Sequence, residues 1–163
     1  MKYIIFTDGS SRGNPGRGGW AVVIIEDDSM VIELGGREDK ATNNRMELTA
    51  AIEALSQTSR DADITLYTDS SYLIGGITKW VKGWKKNDWK RDIWQKDIKK
   101  DVLNRDLWEK LDELNMVRNV KWNYIRGHTG NHGNERCDEI ATAFADGEKI
   151  SLFEGKMEVW QKK

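Results

Sequence analysis

Four acidic residues of the chain stand where phosphate chemistry could be done. Asp8 and Asp69 each close an apolar, aromatic-ended run with the same Thr-Asp pair, in YIIFTDGSS and ITLYTDSS, sixty-one positions apart. Glu47 falls in TNNRMEL and Asp138 in NERCDEIA, each near the start of a helical pattern. Singly, each has an ordinary structural use. Asp8 can serve an Asp-Gly turn. Glu47 can close a capping box with Asn44. Asp69 can cap the following helix, and Asp138 can complement a helix dipole. Jointly they ask for something else. If the runs ending in Asp8 and Asp69 are neighbouring parallel strands, both carboxylates leave the same sheet edge, where α/β sheets place ligand sites. Helices entering at that edge can bring in Glu47 and Asp138. Such a cluster repels itself unless protons or cations neutralise it. An all-oxygen donor set with no His or Cys cluster selects hard cations, Mg²⁺ with Mn²⁺ as a substitute. Two such ions about 4 Å apart suit in-line hydrolysis of a phosphodiester.

The elements that must hold these residues can be read from pattern. Residues 3–7 read as a buried strand. The glycine-rich DGSSRGNPGRGG reads as a loop or tight turn. WAVVIIED and MVIELGG are two strands joined by a hairpin at DDS. From Asn44, Leu48, Ala51, Ile52 and Leu55 repeat at helical spacing. Residues 63–68 are a fourth strand, and 71–87 a helix with Gly75, Gly76 and Gly83 as weak points. Residues 105–114 form a helix with Asn104 as its N-cap. Residues 120–125 are a fifth strand. Cys137, Ile140, Ala141 and Phe144 mark a last helix. The order β-β-β-α-β-α-α-β-α implies a mixed sheet with helices on its faces.

The 163 residues suit one domain with a real core. With 38% hydrophobic and 33% charged residues the chain reads as globular and soluble. Its longest apolar run, WAVVII, is too short to span a bilayer. No signal-peptide pattern opens the chain, and the single cysteine, Cys137, excludes an internal disulfide. A cytoplasmic location is expected. The net charge of −1 says nothing about a polyanionic partner, but its distribution does. Residues 79–100 hold nine basic and three acidic residues, a local net charge of +6, and Trp80, Trp84, Trp89 and Trp94. A basic patch beside an acidic site lets a polyanion dock without being repelled, although Trp80 and Trp84, four apart, also fit a small helical core.

Taken in order, FTDGSSRGNPGRGG, TNNRMEL, YTDSSY, WVKGWKKNDWK and RGHTGNHGNERCDEIA resemble ribonuclease H of the cellular type 1 class, over nearly the whole chain to about residue 146. The resemblance implies an α/β fold, a five-stranded mixed sheet with strand two antiparallel, flanked by helices. It implies endonucleolytic cleavage of the RNA strand of an RNA/DNA hybrid, with 5′-phosphate and 3′-hydroxyl products. It places the metal ligands on Asp8, Glu47, Asp69 and Asp138, and a loop histidine that moves a proton or helps product leave on His128. Asn14, Asn43 and Asn44 match residues that read the minor groove of the hybrid. Thr42, with Lys40, matches a pocket for a DNA-strand phosphate. Ser71 stands where the family often has Gln. Residues 79–100 match a basic handle that grips the DNA strand, with Trp80, Trp84, Lys85, Lys86, Trp89 and Lys90 in it. Residues 1–146 are thus read as the catalytic domain, most simply a monomer, and 147–163 as a tail with no assigned role. His132 is read as a surface residue. Two other readings compete: a strand transferase on the same fold, and a non-catalytic hybrid-binding module. The first lacks room for added DNA-binding domains, and the second would be expected to have lost a carboxylate.

Overall fold

The computed structural model describes residues 1–93 and 98–163. Trp94, Lys96 and Asp97 of the basic segment lie outside the described residues. β1 (Lys2–Ser11), β2 (Gly16–Glu26) and β3 (Met30–Ala41) form an antiparallel meander. Then come α1 (Asn43–Ser56), β4 (Asp63–Thr68) and α2 (Ser71–Gly75). A wider π-type turn, Gly76–Trp80, leads into α3 (Val81–Lys86). A hairpin of β5 (Lys90–Ile93) and β6 (Ile98–Asp101) precedes α4 (Arg105–Met116), β7 (Asn119–Tyr124) and α5 (His132–Asp146). The chain ends in β8 (Glu154–Lys156) and α6 (Met157–Gln161). The main sheet runs β7-β4-β1-β2-β3-β8, with β4 and β7 parallel to β1 and β2 antiparallel to it.

Strand alternation sends side chains to two cores. Ile5, Val22, Ile24 and Leu66 face one side, under Leu48, Ile52 and Leu55 of α1 and Trp108 and Leu111 of α4. Phe6, Ala21, Val23 and Val31 face the other, under Cys137, Ile140 and Ala141 of α5. Each face is buried by an amphipathic helix, which is why the strands read as apolar runs.

Three expectations need correction. Most of the glycine-rich stretch is strand: β1 continues through Ser11 and β2 begins at Gly16. The glycines there mark close helix approach. A Cβ on Gly19 would strike the carbonyl oxygen of Ala141 in α5, and one on Gly9 would strike the Met46–Glu47 backbone in α1. The sheet has six strands where five were expected, the sixth being β8 from the tail. Asn104 is the N-cap residue of α4, its carbonyl accepting from the Leu107 and Trp108 N–H groups at 3.0 Å, but its side chain makes no capping bond. It sits at φ 61°, and its side chain accepts from Arg45 at 3.3 Å and donates to the Tyr72 hydroxyl at 3.0 Å.

The tail is anchored by a buried acid. Glu33 accepts two hydrogen bonds from Arg136 (2.8 and 2.9 Å), one from the Phe153 backbone (2.9 Å) and one from the Trp160 indole (2.8 Å). Burial alone would push its pKa up, but these donors outweigh burial and hold it below the ordinary range. Trp160 also packs edge-on against His132, ring centroids 4.3 Å apart, so His132 is tied to the tail. Trp160→Ala removes a nearly fully buried indole and one donor to Glu33. It is expected to cost about 3–5 kcal/mol in urea unfolding; a loss under about 1 kcal/mol would mean the tail is not part of the cooperative fold.

Candidate active site

The last register pair between β1 and β4 is Thr7 with Thr68. Asp8 and Asp69 are the next residues of each strand, so they leave the parallel pair side by side. β4 stops there, while β1 stays paired with β2, which holds Asp8 rigid on a continuing strand. Asp69 is not a cap: the Ser70 hydroxyl accepts from the Leu73 N–H at 3.1 Å and starts α2.

Glu47 reaches the same place from α1. Thr42, not Asn44, is the N-cap, its hydroxyl accepting from the Arg45 N–H at 3.2 Å. The capping-box use of Glu47 is therefore wrong. Glu47 lies a turn further in, carried against β1 where Gly9 has no side chain to hold the helix off. One oxygen each from Asp8, Glu47 and Asp69 lies within 4.8 Å of the others. Asp8 and Glu47 are 5% and 4% exposed.

Burial raises the Asp8 carboxyl to about 8, and the charges of Asp69 and Asp138 add to it. Glu47 is pushed well above its ordinary value by burial first, then by Asp8 and Asp69. Glu47 Oε2 is buried with no hydrogen-bond partner among the described residues. A buried oxygen without a partner is costly, and three crowded carboxylates more so. An oxygen-seeking divalent cation would relieve both, so the residues present fit one. Asp138 stands outside this close trio. It lies in the second turn of α5, half-buried, and Glu135 takes the first-turn position expected of it. Its charge nevertheless acts on Asp8.

A cleft of 370 Å³ opens over the trio, lined also by Gly9, Asn43, Asn44, Ser70, Ser71 and Tyr72. Asn14, in the turn between β1 and β2, accepts the Asn43 backbone N–H at 3.1 Å, so two of the amide residues meet at the rim. Arg12 anchors that turn through a bidentate pair with Asp146, 2.6 Å for both bonds. Lys40 is exposed near the end of β3, next to the Thr42 cap. His128 is exposed at φ 59° in the loop before α5. Sequence reading missed Tyr72. Its hydroxyl accepts from the Trp108 indole at 3.0 Å and ties α2 to α4. A Tyr placed right after TDSS was the available signal.

In the basic segment Trp84 and Trp89 pack onto the core, and Trp80 is 44% exposed. Ring centroids step from Tyr72 to Trp80 to Trp84 to Trp89 at 6.2, 6.1 and 6.4 Å. Lys85 pairs with Asp112 at 2.9 Å and Lys90 with Asp101 at 2.5 Å, while Lys86 is exposed.

Residues 1–146 match the family model described as RNase H. The chain belongs to the ribonuclease H family. Among named relatives, ribonuclease H of Cyanothece sp. (strain PCC 7425) is 50% identical over 154 residues, 93% of this chain and 94% of its own. Ribonuclease H of Thermosynechococcus vestitus is 52% identical over 151 residues, 91% of each. Among solved structures, LC9-RNase H1, described as a type 1 enzyme with the type 2 active-site motif, superposes with a TM-score of 0.80 at 26% identity. That match covers 99% of this chain and 81% of the other. LC11-RNase H1, solved in complex with an RNA/DNA hybrid, superposes at 0.62 over 89% of this chain and 97% of its own; at 23% identity that likeness concerns the fold. The protein is a ribonuclease H family enzyme with an acidic trio, two of its members buried, that fits a divalent cation. None of the described helices is long and apolar enough to cross a membrane.

Proposed function

We propose that the chain hydrolyses the RNA strand of RNA/DNA hybrids at the Asp8–Glu47–Asp69 cluster, leaving 5′-phosphate and 3′-hydroxyl ends. The observation that carries this reading is the trio itself, two of its members buried, at the carboxyl end of a parallel strand pair in a chain about half identical to named ribonucleases H. Asp8, Glu47 and Asp69 would hold Mg²⁺, with Asp138 contributing to a second ion. Bound there, the cations would supply Lewis acidity that polarises the scissile phosphate and makes a water more acidic.

The chain's own residues do the rest. Asp8 and Asp69 stand on strand ends, so the cluster keeps its spacing when charged. Glu47 faces the cleft beside Asn43 and Asn44 and is placed to meet a ribose 2′-hydroxyl. Asn14 uses its carbonyl oxygen on the Asn43 backbone, which leaves its amide N–H donors for an acceptor in the minor groove. Thr42 starts α1, and Lys40 adds a positive charge beside it, a setting for a DNA-strand phosphate. His128, on an exposed loop, can hand a proton to the leaving oxygen or help product leave. The handle supplies positive charge along the DNA strand.

End-labelled RNA/DNA hybrid, RNA duplex and DNA duplex, each incubated with Mg²⁺ or with EDTA, test the reading. Cleavage confined to the RNA of the hybrid and abolished by EDTA is the expected result. Intact hybrid at stoichiometric enzyme with Mg²⁺ would refute it.

A further inference from the structure

After β7 the chain stays beside β4: the Ile125 N–H donates to the Thr68 carbonyl at 2.9 Å. Two residues on, Gly127 lies against Asp69, the residue that follows Thr68. A Cβ built on Gly127 would sit 2.8 Å from Asp69 Oδ2, with Cγ and Cβ of Asp69 the next nearest at 3.6 and 3.7 Å. The three closest atoms thus all belong to one carboxylate side chain. Gly127 does not have a left-handed φ, so alanine fits its backbone.

We propose that Gly127 is a positioning residue: its missing side chain lets Asp69 hold its carboxylate toward Asp8 and Glu47. This deepens the functional reading above and rests on Asp69 being a cation ligand there. What an added methyl would displace differs between the glycines. At Gly9 it would meet the backbone of α1, and the fold itself would have to shift. At Gly127 it meets the far end of a rotatable side chain. Turning that side chain costs little in folding, but the atoms that move are the ones offered to the ion. Metal and catalytic constellations tolerate displacements of only about 0.5 Å, and a methyl 2.8 Å from an oxygen, too close for any Cβ, forces a shift of about that size. Gly130, in the same loop, is the opposite case. It has φ +87°, and a Cβ there meets nothing within 4 Å. Alanine at Gly130 strains the loop without touching Asp69.

The two glycines therefore separate the roles. Calorimetric titration of Mn²⁺ into hybrid-free protein, with thermal melts in EDTA, compares wild type, Gly127→Ala and Gly130→Ala. Gly127→Ala is expected to melt within about 2 °C of wild type and to bind Mn²⁺ about tenfold to a hundredfold more weakly, with kcat falling and KM for hybrid nearly unchanged. Gly130→Ala is expected to melt lower and to bind Mn²⁺ as wild type does. Unchanged Mn²⁺ affinity in Gly127→Ala, an equal loss in Gly130→Ala, or unfolding of Gly127→Ala would each overturn the proposal. No binding by wild type would overturn the cation reading itself, and this inference with it.

Discussion

Asp8→Asn is expected to lower the rate of RNA hydrolysis at least about a thousandfold while making the metal-free protein more stable. On the proposed function, the loss follows from removing the carboxylate best fixed by the sheet. The gain follows from what the buried cluster costs without a cation. Asp8 is raised from 3.8 to about 8, mainly by burial and then by Asp69 and Asp138. The folded chain therefore keeps a proton that the unfolded chain releases. Below about pH 4 the carboxyl is neutral in both states and costs nothing. As pH rises from there through 8, stability is lost at about 1.4 kcal/mol per pH unit. In EDTA, wild-type stability should thus fall between pH 5 and pH 8, and Asp8→Asn should flatten much of that fall. The variant should be more stable by on the order of 2–4 kcal/mol at pH 8. Adding Mg²⁺ should reverse the order, because an ion that binds only the folded state stabilises it by mass action. Urea unfolding at both pH values, with and without Mg²⁺, reads all of this. A wild type no less stable than the variant at pH 8 in EDTA would mean that the trio carries no such burden.

How far the sequence could go depends on the range of the interaction involved. Helices with an apolar face were readable, because Leu48, Ile52 and Leu55 repeat at a spacing that only a helix puts on one side. The two strand-ending aspartates were readable because a strand end is a local event. Glu47 was placed at the site only jointly with them; its own neighbourhood pointed to a capping box with Asn44, and Thr42 makes the cap. What stayed hidden depends on partners far along the chain. Glu33 carries no local signal within MVIELGG, yet it is buried because Arg136, 103 positions away, and Trp160, 127 away, converge on it. The tail could not be placed for the same reason. The glycines after Asp8 carry a turn signal locally, yet Gly9 and Gly19 are strand positions emptied for the helices that cross them. Gly127 carried no local signal: its significance lies in its distance to Asp69, and that distance is set by β7 lying beside β4.

Hybrid affinity is expected to fall on the order of a hundredfold between 50 and 200 mM salt, measured in EDTA so that the RNA survives. Binding that displaces counterions from the duplex follows salt with a slope of about −0.7 to −0.9 per phosphate contact, and about four contacts give that loss. The basic segment offers Lys79, Lys82, Lys86 and Arg91 as exposed cations with no ion-pair partner among the described residues. Lys85 and Lys90 differ, since Asp112 and Asp101 already hold them. A phosphate must compete with those carboxylates before either lysine can engage it. Lys86→Ala should therefore reduce the slope by nearly one contact, and Lys90→Ala by less than half as much, although both remove one formal charge. Equal effects would mean that only the overall field of the segment matters. An affinity flat across this salt range would mean that the segment is not the grip at all, and its lysines would then be a solvated surface over the core that Trp84 and Trp89 pack against.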